Sequence, residues 1–194
     1  MTSHASAQPA VAKDKTRRTG RLVARSVTRF PRLLLSGALH HRHDHLGISY
    51  AIDQGGQYQA FRETVSDDGT REANAVLVVG FRLRGLGNRR ALHALFRRVC
   101  LLTTPFWSGF KGFRVKLWMV DPVNDNYLGI YEWSGAANAQ TYATALARIL
   151  RPISTQGSVW YHIYPDRALE PFLREHEHQT RVNVVREEMT VKGT

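Results

Sequence analysis

The sequence predicts an α+β fold built on a four-stranded antiparallel sheet, and three observations carry that expectation. Residues 113–120 and 127–133 read as half-buried strands of period two, the alternation of apolar and polar side chains being plainest over Phe113, Arg114, Val115, Lys116 and Leu117. The turn-forming run Asp121, Pro122, Val123, Asn124, Asp125, Asn126 joins them as a hairpin. A helical pattern follows at once over 136–150, with Ala139, Tyr142/Ala143, Leu146 and Ile149/Leu150 on one stripe and Pro152 as its stop.

The remaining elements complete a β-α-β-β-α-β order. Residues 75–84 read as a strand with Ala75, Leu77, Val79, Phe81 and Leu83 on one side and Val76, Val78, Gly80 and Arg82 on the other. Asn88 can cap a helix running to about 102, whose stripe is Leu92, Leu95/Phe96, Val99 and Leu102. The stretch 105–112 is a Gly- and aromatic-rich loop, and 158–164 is the last strand. Both helices are expected on one face of the sheet.

Ahead of this lies a basic extension. Residues 1–45 hold nine Lys/Arg against Asp14 and Asp44, so most of the formal net charge of +11 belongs to the leading segment. Residues 1–45 are read as a largely disordered basic arm, 46–72 as an extra hairpin and linker, 73–168 as the main domain and 169–194 as a C-terminal tail. In the hairpin, Ile48, Tyr50 and Ile52 precede a turn at Asp53, Gln54, Gly55 and Gly56, with the returning strand from Tyr58 to Val65. Arg18, Arg21, Arg25, Arg29 and Arg32 fall on one helical face of the arm. They suit weak contact with anionic membranes or nucleic acid, or simply a mobile basic arm or a short helix packed on the domain, with Pro31 ending or kinking any helix near Phe30.

Composition excludes several classes. A chain of 194 residues, 43% hydrophobic, can bury one sizeable core, and its single cysteine, Cys100, forms no internal disulfide. No run of 18 apolar residues spans a membrane. Arg17-Arg18 lacks the apolar stretch of an export signal, so a cytoplasmic location is expected. There is no Gly-rich phosphate loop and no nucleophile elbow. His40, His41, His43 and His45, and the run His176-Glu177-His178, are dense in imidazole and carboxylate; as loop and tail they suit adventitious metal binding, and no metal is expected.

The positions expected to face away from both helices include Val78, Arg82, Arg114, Lys116, Trp118, Tyr131, Trp133, Trp160, His162 and Tyr164. Such a face of aromatics among charges is costly to leave in water, and a homodimer closing sheet to sheet around a cavity would cover it. Within that cavity Lys116 and Arg114 would anchor a planar anionic or aromatic ligand, and Trp118, Tyr131, Trp133 and Trp160 would wall it. His162 is the candidate general base, because imidazole titrates near neutrality. Packing inside the protein is the plainer reading of each aromatic.

The run Gly112-Phe113-Arg114-Val115-Lys116-Leu117-Trp118, then Leu128-Gly129-Ile130-Tyr131-Glu132-Trp133 and Ala139-Gln140-Thr141-Tyr142, resembles the YdhR-like mono-oxygenase family. That family sits in the dimeric α/β-barrel superfamily with antibiotic-biosynthesis mono-oxygenases and haem-degrading enzymes. The resemblance spans about 75–164 and implies a ferredoxin-like dimeric barrel. It also implies oxidation of a small aromatic substrate with no cofactor, neither metal nor flavin. A helical histidine serves haem in some relatives, and His93 lies on the first helix, but no matching motif supports a haem site. The alternative is a non-catalytic ligand-binding or assembly module tethered by its basic arm.

Overall fold

The computed structural model describes residues 35, 39–52, 56–67, 74–85, 96, 110–124 and 126–177. Their elements are β1 (Leu39–Arg42), β2 (Ser49–Ala51), β3 (Gln57–Ser66), β4 (Ala75–Arg82), β5 (Phe113–Asp121), β6 (Asn126–Trp133), α1 (Ala136–Leu150), β7 (Trp160–Pro165) and α2 (Leu169–His176). The leading arm to residue 34, the helix expected over 88–102 apart from Phe96, and residues 178–194 lie outside the described set. Phe96 is helical and packs edge-on against Phe81 and Tyr127. Among the described residues no helix is long and apolar enough to cross a membrane.

Among the described residues the sheet is antiparallel throughout and has seven strands, not four. Its path is β1-β3-β5-β6-β4-β7, with β2 paired to β3 off that path. The sub-order β5-β6-β4-β7, with α1 between β6 and β7, is consistent with a ferredoxin-like arrangement. The expected hairpin ahead of it is present, Tyr50 opposite Tyr58. The expected domain boundary after it does not interrupt the sheet, because β3 pairs along β5 from Gln59↔Val120 to Val65↔Val115. Residues 39–42, placed by sequence in the arm, pair with β3 as β1. Their run Leu-His-His-Arg shows no alternation, so only the partner strand makes them a strand.

Both faces of the sheet are buried. On one, Ala75, Leu77, Val79, Trp118, Tyr131 and Trp133 pack against Ala139, Tyr142, Ala143 and Leu146 of α1. On the other, Val76, Val78, Leu117, Met119, Leu128 and Ile130 meet Tyr50, Ile52 and Tyr58 and the α2 residues Leu169, Phe172 and Leu173. Helix α2 is a structured element where a tail was expected. Its apolar residues at 169, 172 and 173 form one face, and Pro171 is tolerated because it stands in the first turn, where no intrahelical N–H is needed.

This corrects one expectation and adds an element. Lys116, Trp118, Tyr131 and Trp133 do not point away from the helix over 136–150: Trp118, Tyr131 and Trp133 belong to the α1 side, and the Lys116 ammonium lies over the Trp118 ring. The other helix expected on that face, over 88–102, lies outside the described residues apart from Phe96, which packs on the α1 side. The opposite face is covered by α2, which the sequence did not announce. Alternation cannot tell the two sides apart when both are covered. A bulge between Phe113 and Val115 also shifts the register, so that Phe113 opposes Trp133 while Val115 opposes Glu132. The uncovered face that argued for a second copy is therefore covered within the chain.

Candidate ligand-binding site

The antiparallel register of β5 and β6 builds an aromatic enclosure under α1. Lys116 lies opposite Tyr131, Trp118 opposite Gly129, and Phe113 opposite Trp133. Gly129 has no side chain, so the Tyr131 ring folds back over it; a Cβ built there would stand 2.8 Å from that ring. The ammonium of Lys116 lies 3.0 Å above the Trp118 ring centroid and 4.7 Å from that of Tyr131. Lys116 is only 2% exposed. Burial disfavours a charge, and the two ring faces return part of that cost through cation–π attraction.

Tyr142 of α1 closes the enclosure. Its hydroxyl donates to the Tyr131 hydroxyl at 3.3 Å, and its ring lies 5.0 Å from Trp133 and 5.1 Å from Tyr131. Burial pushes the Tyr142 hydroxyl far above the usual phenol range, so it stays a proton donor. Trp133 is fully buried, and its indole N–H makes no hydrogen bond among the described residues. Buried donors are nearly always satisfied, so this one is an orphan inside the enclosure.

The other expected site residues sit elsewhere. Arg114 occupies the bulge, half-buried, and its charge acts on Glu132. That carboxylate accepts the Leu169 amide at 2.8 Å, at the start of α2 on the opposite face. Burial pushes the Glu132 carboxyl up, and the amide and Arg114 oppose the shift. Trp160 and His162 are on β7, with Trp160 on the α2 side over Gly80. His162 is exposed, its ring 4.5 Å from that of Tyr164. Between β5 and β7 lie β6 and β4. Lys116, Trp118, Tyr131 and Trp133 are thus brought together; Arg114, Trp160 and His162 are not brought to them.

One cluster was not foreseen. A cleft of about 440 Å³ is lined by residues that include Arg42, His45, Tyr50, Glu170 and Arg174. Beneath it His45 Nδ1 lies 3.1 Å from Oε2 of Glu63, and His45 Nε2 lies 3.4 Å from Oε1 of Glu170. The histidine tract is therefore partly structural, with His41 also bonded to the Glu63 backbone carbonyl at 3.2 Å. Glu63 falls at an inward position of β3, a signal that a buried carboxylate needs a cationic partner; which partner could not be read from spacing. Among the described residues no three His, Cys, Asp or Glu side chains converge to hold a metal.

No family model matches this sequence, and no curated protein does. Solved structures with a related arrangement include a monooxygenase-like protein from Listeria innocua, at 13% identity over 61% of this chain and 68% of that one, TM-score 0.39. A ferredoxin-fold protein from Listeria monocytogenes related to antibiotic biosynthesis monooxygenases is 12% identical, over 72% and 89%, TM-score 0.42. A heme-degrading enzyme from Listeria monocytogenes is 14% identical, over 71% and 93%, TM-score 0.43. Likeness at this level assigns neither a family nor an activity.

Proposed function

We propose that this chain is a small-molecule enzyme resembling the cofactor-independent mono-oxygenases, taking a planar anionic substrate against Lys116, Trp118 and Tyr131. The observation that carries this reading is the ammonium held 3.0 Å over an indole ring at 2% exposure. A cation walled by flat rings favours a flat anion, by charge on one side and stacking on the other. The orphan N–H of Trp133 supplies a donor for a substrate oxygen.

Lys116 would lower the pKa of an acidic phenol or 1,3-dicarbonyl, so that the bound substrate ionises near neutrality. An electron-rich carbanion can then react with dioxygen at carbon. Loss of water from the resulting hydroperoxide gives a ketone, a net change of CH2 plus O2 to C=O plus H2O. His162 takes no part in this scheme within one chain, because it stands on a different strand and is exposed.

Binding of a hydroxyaromatic anion, followed by calorimetry and by oxygen uptake, tests the proposal. Lys116→Met should weaken binding roughly tenfold or more and abolish uptake. Unchanged affinity and turnover in that variant would dispose of it. A homodimer belongs to the same reading. Its support is the outer edge of β7, which ends the sheet, and native mass spectrometry at micromolar concentration would report a monomer if it is wrong.

A further inference from the structure

A separate cavity of about 350 Å³ lies at the C-terminal end of α1, lined by Arg84, Arg151, Thr155, Gln156, Gly157 and Val159. We propose that it binds the phosphate group of a phosphorylated small molecule, clamped between the guanidinium groups of Arg84 and Arg151. It shares no residue with the Lys116 enclosure and stands independently of that reading.

Charge is the first argument. Residues 82–85 and 148–160 contain Arg82, Arg84, Arg148 and Arg151 and no Asp or Glu. Among the described residues neither Arg84 nor Arg151 has a carboxylate partner. Arg151, with Arg148, also offsets the exposed carbonyls ending α1, which is reason enough for a cation there. That account does not extend to Arg84, which arrives from the end of β4. Two like charges facing one cavity repel, and an anion between them removes the repulsion.

Rigidity is the second. The Arg84 amide donates to the Ile153 carbonyl at 2.9 Å, and the Thr155 amide donates to the Arg82 carbonyl at 2.7 Å. The Ser158 hydroxyl donates to the Thr155 carbonyl at 2.7 Å, and the Arg151 amide to the Ala147 carbonyl at 3.0 Å. Both arginines are thus carried on one hydrogen-bonded frame, so little backbone order is lost on binding. Gly157, at φ +77°, makes the tight turn that leaves one wall without a side chain.

Phosphate suits the pair better than carboxylate. Its three terminal oxygens and charge of about −1.5 to −2 match two guanidinium forks, whereas a carboxylate brings two oxygens and a single charge. Thr155 and Gln156 add neutral donors, and Val159 offers an apolar wall for the group that bears the phosphate.

Titration of the full chain with phenyl phosphate, read by calorimetry and phosphorus NMR, tests the site. Saturable binding is expected, weakened roughly tenfold or more in Arg84→Gln and in Arg151→Gln. Arg174→Gln, in the other cleft, should bind as the parent does, and benzoate should bind far more weakly than phenyl phosphate. Both arginines are exposed, so the variants should keep the parent's circular dichroism and melting point; Arg84→Lys provides a milder second variant that should retain intermediate affinity. Absent binding, or binding by both Gln variants as tight as the parent's, overturns the proposal. So does a single-stranded oligonucleotide that binds through Arg84 and Arg151 when phenyl phosphate does not.

Discussion

His45 and Glu63 form a buried pair, 3.1 Å apart, in which the histidine is 7% exposed and the glutamate 1%. Because His45 also reaches Glu170 on α2, the pair ties that helix to β3 across the second face of the sheet. The Glu63 hydrogen bond is the chief reason the His45 pKa is raised, against a burial effect that lowers it. A raised folded-state value means that His45 contributes stability fully below the unfolded pKa, about 6.5, and loses it as pH climbs through the higher folded value. Arg42, Asp44 and Tyr50 face the same cleft and keep their charge states over that window. Thermal melts between pH 5.5 and 8.5 should therefore show the parent losing its advantage over His45→Gln as pH rises. A constant difference would remove the ionic tie.

Replacing Lys116 by Met separates binding from stability. A buried charge exchanged for an apolar group of similar length is often neutral or stabilising. The melting point of Lys116→Met should hold or rise while anion binding is lost. A large fall in both would make Lys116 a structural residue rather than a ligand anchor.

Gly129 is predicted to be irreplaceable for the same enclosure. Alanine there would push the Tyr131 ring away from its seat beside Trp118. The variant should lose about 1–3 kcal/mol of stability, and its tryptophan emission should shift. An unchanged spectrum with unchanged melting would show that the ring has room to move.

Phe172 anchors α2. It is 1% exposed and stacks near Tyr164 at 5.0 Å and His176 at 4.3 Å. Phe172→Ala should cost roughly 3–5 kcal/mol in denaturant unfolding and increase binding of an apolar dye. A small loss would mean that α2 is peripheral to the folded unit.

The basic arm gives a prediction of its own. The first 45 residues carry nine Lys/Arg against two Asp. Any binding to anionic vesicles should fall steeply between about 50 and 200 mM salt, and deleting the residues before β1 should abolish it. Salt-insensitive binding would mean that charge is not the attraction.

Much of the fold is legible in the chain. Alternation over 113–120 and 127–133 and the stripe over 136–150 predict the β5–β6 hairpin and α1 closely, because each pattern reflects a local rule that neighbours reinforce. The Tyr50–Tyr58 hairpin is legible for the same reason. Helix α2 left a signal in the spacing of Leu169, Phe172 and Leu173, but eight residues give a period little room to declare itself. Strand β1 left none, because an edge strand takes its hydrogen bonds from its partner and needs no pattern.

The site divides along the same line. The sequence by itself determines that Lys116 and Trp118 share a side of β5, since that follows from a period of two. It does not determine which side, because the answer depends on what covers each face: α1 follows β6 directly, but the second cover, α2 with the β2–β3 hairpin, comes from residues far off in the chain. Tertiary structure alone puts α2 over the second face, turns Lys116 toward α1, removes His162 from its company and pairs His45 with Glu63. Side-chain direction is local; burial is a property of the assembled molecule.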